Sequence, residues 1–165
     1  MGLSAYSKTI VQDNVDRVVA AHHNNQENQL EALTNHNLTL QSLMVQTLGF
    51  GTVAAGTNSE KPAFVAPFAC RLNSMHLING AALAANGTNY TKLELVNKGA
   101  SGGGTTVLAT FDGSLESFTA FDAVVKSLGT TDLIAGDVLS LRKTDTGTGM
   151  LVTDLFVVVN YKPIP

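Results

Sequence analysis

The sequence predicts a mainly β protein with a long N-terminal α-helix: the helix in a trimeric bundle, the remainder an antiparallel β-sandwich or jelly roll. Three observations lead there. Glycine and proline are nearly absent before Gly49 and frequent after it. Larger apolar residues recur at helical spacing in the first part and alternate in the second. The chain is 44% apolar but only 14% charged, against roughly 25% charged in an ordinary globular domain. A chain of this composition can build a core, and its weakly charged surface is of the kind that ends against other protein.

The elements follow in order. Residues 1–13 form an arm without a core signal. Over 14–48, Val15, Val18, Val19, Leu30, Leu33, Leu40, Leu43, Met44 and Leu48 predict a helix. Asp13 or Asn14 would cap its start and Gly49 would stop it. At 1.5 Å per residue it would be roughly 50 Å long. Steps of four and three trace a seam through Val19, His23, Gln26, Leu30, Leu33, Asn37, Leu40 and Met44. Such a seam would form the trimer interface, with His23, Gln26 and Asn37 as polar layers that fix register and strand number. The alternative is an amphipathic helix lying on the β-domain.

Residues 49–63, holding Gly49, Gly51, Gly56 and Pro62, read as a linker, and 64–165 as the sandwich. There Phe64, Ala66, Phe68, Cys70 and Leu72 alternate. Met75 and Leu77 continue past a one-residue shift that fits a bulge. Later runs are 93–96, 106–111, 138–142 and 151–161. Turn signals separate them at Asn86-Gly87, Asn97-Lys98-Gly99, Asp112-Gly113, Ala135-Gly136-Asp137 and Gly147-Thr148-Gly149. Seven or eight short strands so spaced predict an antiparallel sandwich. Cys70, the single cysteine, sits among apolar neighbours and reads as a buried thiol.

Composition also excludes function classes. A net charge of −3 argues against a nucleic-acid partner. No run reaches the roughly 18 apolar residues of a membrane helix, and no apolar stretch of signal-peptide type follows Met1. The Gly-rich stretch 99–104 lacks the lysine and hydroxyl of a phosphate loop and falls between strands, so a hairpin tip is expected. His22 and His23 point about 100° apart on a helix, and His76 has no second ligand at metal spacing. No catalytic, cofactor or metal residues are expected. The chain has no Trp and only three Tyr for stacking on sugars, so a polysaccharide-degrading sandwich enzyme ranks last.

The segment Val18-Val19-Ala20-Ala21-His22-His23-Asn24-Asn25-Gln26-Glu27 resembles one that recurs near the start of bacteriophage virion proteins. There a Val-x-Ala-x-His-x-Asn-x-Leu-Gln pattern opens a helix that carries the subunit into a trimer. Val18, Ala20, His22 and Asn24 match; Gln26 stands in place of Leu and Glu27 in place of Gln. Phe64-Val65-Ala66-Pro67-Phe68 and the run 89–99 are similar to small head and fibre domains. The resemblance implies a head decoration (cement) or head-fibre protein without enzymatic activity. It would be a homotrimer on the capsid surface of the virion, made in the host cytoplasm and bound to the major capsid protein. Leu3, Tyr6, Ile10 and Val11 in the arm would make the capsid attachment. The alternative is a short tail-fibre or receptor-binding protein that contacts the host surface.

Overall fold

The structure, a computed structural model, describes residues 21–31, 44–128 and 131–164. The chain divides between Gln41 and Ser42 into two units. In the first, residues 21–31 form a helix, α1. Its sequence, Ala21-His22-His23-Asn24-Asn25-Gln26-Glu27-Asn28-Gln29-Leu30-Glu31, has almost no apolar stripe, and every residue is exposed.

Among the described residues the second unit holds nine strands: β1 Met44–Val53, β2 Ser59–Val65, β3 Cys70–Ile78, β4 Tyr90–Gly99, β5 Thr106–Asp112, β6 Ala123–Ser127, β7 Asp132–Leu133, β8 Val138–Thr146 and β9 Val152–Pro163. They form two antiparallel sheets. Sheet A has the order β1-β9-β3-β6, with β7 also on β3, and sheet B the order β2-β8-β4-β5. Pairing is nested, β1 with β9, β2 with β8, β3 with β6 and β4 with β5. That is a long antiparallel ribbon rolled upon itself, the topology of a jelly roll.

The period-two pattern explains the core. Cys70, Leu72, Met75 and Leu77 of β3 point inward, as do Leu93 and Leu95 of β4, Leu139 and Leu141 of β8, and Leu155, Val157 and Val159 of β9. The bulge falls between Leu72 and Ser74, which returns Met75 to the inner face. Phe64 of β2 meets Tyr161 of β9 edge-on at 4.8 Å across the sheets, and Phe111 stacks on Phe118 at 4.3 Å. Cys70 is buried, and that burial pushes its thiol pKa up.

Three expectations are corrected. The long helix over 14–48 does not hold: the helix among the described residues covers 21–31, and 44–48 are strand. The bundle seam fails with it at Met44, which pairs with Tyr161 and packs against the sandwich core. Residues 49–63 are no linker, because they contain the end of β1 and most of β2. The physical reason lies in Val45, Thr47, Phe50 and Val53. Branched and aromatic residues fit a pleated, half-buried surface better than a helix. Pro62 is tolerated because β2 is an edge strand with a register shift beside it. The sequence also showed no strand at β6, and it ran β2 and β3 together where Pro67 separates them.

Candidate functional site

Of the expected seam residues, His23, Gln26 and Leu30 lie on α1, where Leu30 is 69% exposed. The His23 Nδ1 atom lies 3.3 Å from Glu27 Oε1 one turn on. Val19, Leu33, Asn37 and Leu40, and the attachment residues Leu3, Tyr6, Ile10 and Val11, lie outside the described residues. Among the described residues no group of three His, Cys, Asp or Glu could hold a metal ion. His76 sits in β3, where the Asn160 amide donates to its Nε2 at 3.0 Å and the Ser74 hydroxyl lies at 3.0 Å.

What distinguishes the sandwich is the contrast between its two outer faces. Register alone fixes the outer face of sheet A. One row runs Val45, Asn160, Ser74 and Ser127 across β1, β9, β3 and β6. The next runs Thr47, Val158, His76 and Val125, and the third Gly49, Phe156, Ile78 and Ala123. No Asp, Glu, Lys or Arg occurs in the three rows. Val45 is 57% exposed, Val125 55% and Phe156 45%. The Phe156 ring lies over Gly49, where a Cβ would make ordinary van der Waals contact with its Cε1 atom at 3.6 Å. Charge returns at the Arg71–Lys162 row, where Asp132 accepts two bonds from the Arg71 guanidinium at 2.6 and 2.8 Å.

Sheet B shows the opposite pattern. Lys92 pairs with Asp112 at 3.1 Å, Arg142 with Glu94 at 2.9 Å, and Lys98 with Glu60 at 3.2 Å. The Ser140 hydroxyl, first, and the Lys98 ammonium hold the Glu60 carboxyl below its ordinary range. Ser114 and Lys92 do the same for Asp112, and Arg71 for Asp132. These partners stabilise the ionised carboxylates. Sheet B therefore carries three ion pairs beside the exposed Val65 and Val107, whereas the three rows of sheet A are uncharged.

One end of the sandwich gathers the turn 54–58 and the loops 79–89, 113–122 and 147–151. Their cross-links include Asn86 N–H to Gly113 O, Leu83 with Phe118 in both directions, and Thr148 N–H to Asn89 Oδ1. Beneath them Lys143 is fully buried and donates to Ala54 O at 3.2 Å, to Thr57 O at 3.0 Å and to the Asp145 carboxylate. The Thr91 hydroxyl donates to the other oxygen of Asp145. At the rim Leu115 is 81% exposed and Phe121 79%, the latter with φ of 60°. A left-handed Phe is a strained conformation; the bond from its N–H to Asn79 O fixes it.

No protein-family model and no curated protein matches the chain. Solved structures match it at low similarity. The Yersinia pseudotuberculosis-derived mitogen aligns over 74% of this chain and 89% of its own, with 8% identity and a TM-score of 0.34. Infectious bursal disease virus, Gx strain, aligns over 74% of this chain and 37% of that chain, with 10% identity and a TM-score of 0.29. The VP2 subviral particle of the same virus aligns over 74% and 42%, with 13% identity and a TM-score of 0.21. This chain spans under half the length of either viral chain.

The sequence did carry a signal for the uncharged face. Leu155-Phe156-Val157-Val158-Val159 is apolar at every position, where a strand with one wet face alternates. Reading that run only for its length missed the second apolar side.

Proposed function

We propose that the chain is a non-enzymatic structural component of a phage virion: a homotrimeric head decoration or head-fibre protein that binds the major capsid protein and dresses the capsid surface. The observation that supports it best is the outer face of sheet A, uncharged over three full rows, while sheet B carries three ion pairs. Val45, Val125 and Phe156, exposed together on one uncharged sheet face, are side chains that a neighbouring protein in a shell would cover. The low charge of the chain and the N-terminal resemblance to virion proteins agree with this reading.

Quantitative mass spectrometry of separated heads and tails from the particle that carries the chain tests it. Copies in proportion to capsomers are expected on the head. A few copies on the tail alone would favour a receptor-binding fibre. The exposed Leu115 and Phe121, held on a hydrogen-bonded loop end, are the observation that favours that second reading. Absence from both fractions would overturn the virion assignment altogether.

A further inference from the structure

We propose that Asn86 is a site of spontaneous covalent modification, at which the side-chain amide is replaced by a carboxylate. Water is the co-reactant and ammonia leaves. The proposal stands apart from the virion reading and does not depend on it.

The chain holds two Asn-Gly pairs, Asn79-Gly80 and Asn86-Gly87, both in the loop 79–89. The same chemistry is open to each. The glycine main-chain nitrogen gives up its proton and bonds to the asparagine Cγ. The Cγ–Nδ2 bond then breaks, and the amide nitrogen departs with that proton as ammonia. A succinimide ring remains. Water opens it at the side-chain carbonyl to give aspartate, or at the main-chain carbonyl to give isoaspartate. Glycine favours the ring closure because no Cβ obstructs the approach.

The fold treats the two pairs in opposite ways. Asn79 is fully buried. Its Nδ2 donates to Ala81 O at 2.6 Å, and its Oδ1 accepts the Thr153 N–H at 2.9 Å. The Gly80 N–H, whose nitrogen would have to attack, donates to Thr153 O at 2.7 Å. Ring closure there would break all of these bonds. Asn86 and Gly87 are exposed. Among the described residues, none accepts from the Gly87 N–H or from the Asn86 amide nitrogen. The Asn86 Oδ1 accepts from two main-chain donors, Thr88 N–H and Asn89 N–H, each at 2.9 Å. They polarise the carbonyl and stand where negative charge gathers as the nitrogen adds to Cγ, the arrangement of an oxyanion hole. The turn is held from both sides. Asn86 N–H donates to Gly113 O at 3.0 Å, and Asn89 Oδ1 accepts the Thr148 N–H at 2.9 Å.

Aspartate at this position keeps both bonds, now charge-assisted. The loop end that displays Leu115 thereby gains a negative charge. Isoaspartate lengthens the main chain by a carbon and disrupts the turn.

The test ages the full chain at mildly alkaline pH and follows it by peptide mass spectrometry. Cleavage at Arg71 and Lys92 leaves both pairs in one peptide. A gain of about 1 Da is expected at Asn86 and none at Asn79. In guanidinium chloride Asn79 should convert as well, while Asn86, deprived of its two donors, should convert no faster than in the folded chain. A Cβ at Gly87 meets nothing within 4 Å, so Gly87→Ala should keep the thermal midpoint and suppress the gain. Conversion at Asn79 equal to that at Asn86, or a Gly87→Ala chain that converts as wild type does, would overturn the proposal. So would slower conversion at Asn86 in the folded chain than in denaturant, which would show that the two bonds hold the amide away from Gly87.

Discussion

Lys143 shows what a single side chain does for this fold. Its ammonium takes two carbonyls of the turn 54–57 and the Asp145 carboxylate, so one residue of β8 pins the β1–β2 turn to the sandwich. Replacing it by methionine keeps the volume and leaves Asp145 buried beside Thr91 without its counter-charge. Lys143→Met is expected to cost about 3–5 kcal/mol, as removal of one partner of a buried pair does, read from urea denaturation. Removing both, as Lys143→Met with Asp145→Leu, should cost less than Lys143→Met alone. None of this was legible in the sequence, because Lys143 and Asp145 at alternate positions look like two more charges of a strand end. Met44 teaches the converse. Its spacing of four from Leu40 and Leu48 satisfies a helix, but four is also twice two. Met44, Leu48 and Phe50 therefore fit a strand equally well. The adjacent Val45 and Thr47 decide for the strand, since branched side chains crowd a helix.

Among the elements, the strands with one wet face were the readable ones. Leu93-Glu94-Leu95 of β4 and Leu139-Ser140-Leu141-Arg142 of β8 alternate, Asn-Lys-Gly ends β4 and Asp-Gly ends β5, and the structure has strands at all three. β6 escaped because Ala123-Val124-Val125-Lys126-Ser127 is short and apolar on both sides. The ion pairs of the strands set the pH dependence. Glu60, Asp112 and Asp132 have folded pKa values below their ordinary ones. Each therefore stabilises the fold fully above its unfolded value near 4, and the contribution disappears as pH falls through the folded value. The urea midpoint should be level from about pH 7 to 5 and fall below about 4. Asp132→Asn should make that fall shallower by removing the clip between β3 and β7. An acid limb of unchanged slope would show that the clip contributes nothing.

At the scale of the whole molecule, the core named by burial runs from Phe50 to Tyr161, within the unit that begins at Ser42. A chain that starts at Ser42 should keep the strand spectrum and a cooperative thermal transition. Loss of both would mean the preceding residues are needed to fold the sandwich. The nested order also bears on rate. β1 and β9 pair across most of the chain, and long-range antiparallel contacts place sandwiches among the slower folders, in milliseconds to seconds. Stopped-flow refolding should fall in that range. The jelly-roll order itself was not readable strand by strand. Turn signals announce where strands end, whereas partners a hundred residues apart leave no local mark.

The place of β9 has a consequence for biosynthesis. It lies between β1 and β3, so two of the pairings of sheet A wait for a strand made about a hundred residues after β1. At about 5–20 residues per second, β1 stays without its neighbour for about 5–20 s, uncharged and open to any passing strand. Premature termination before Val152 leaves β1 without its partner and removes the strand that joins it to β3. Such fragments lack the middle strand of sheet A and leave the core residues of β3 uncovered, which opens a truncated product to proteolysis.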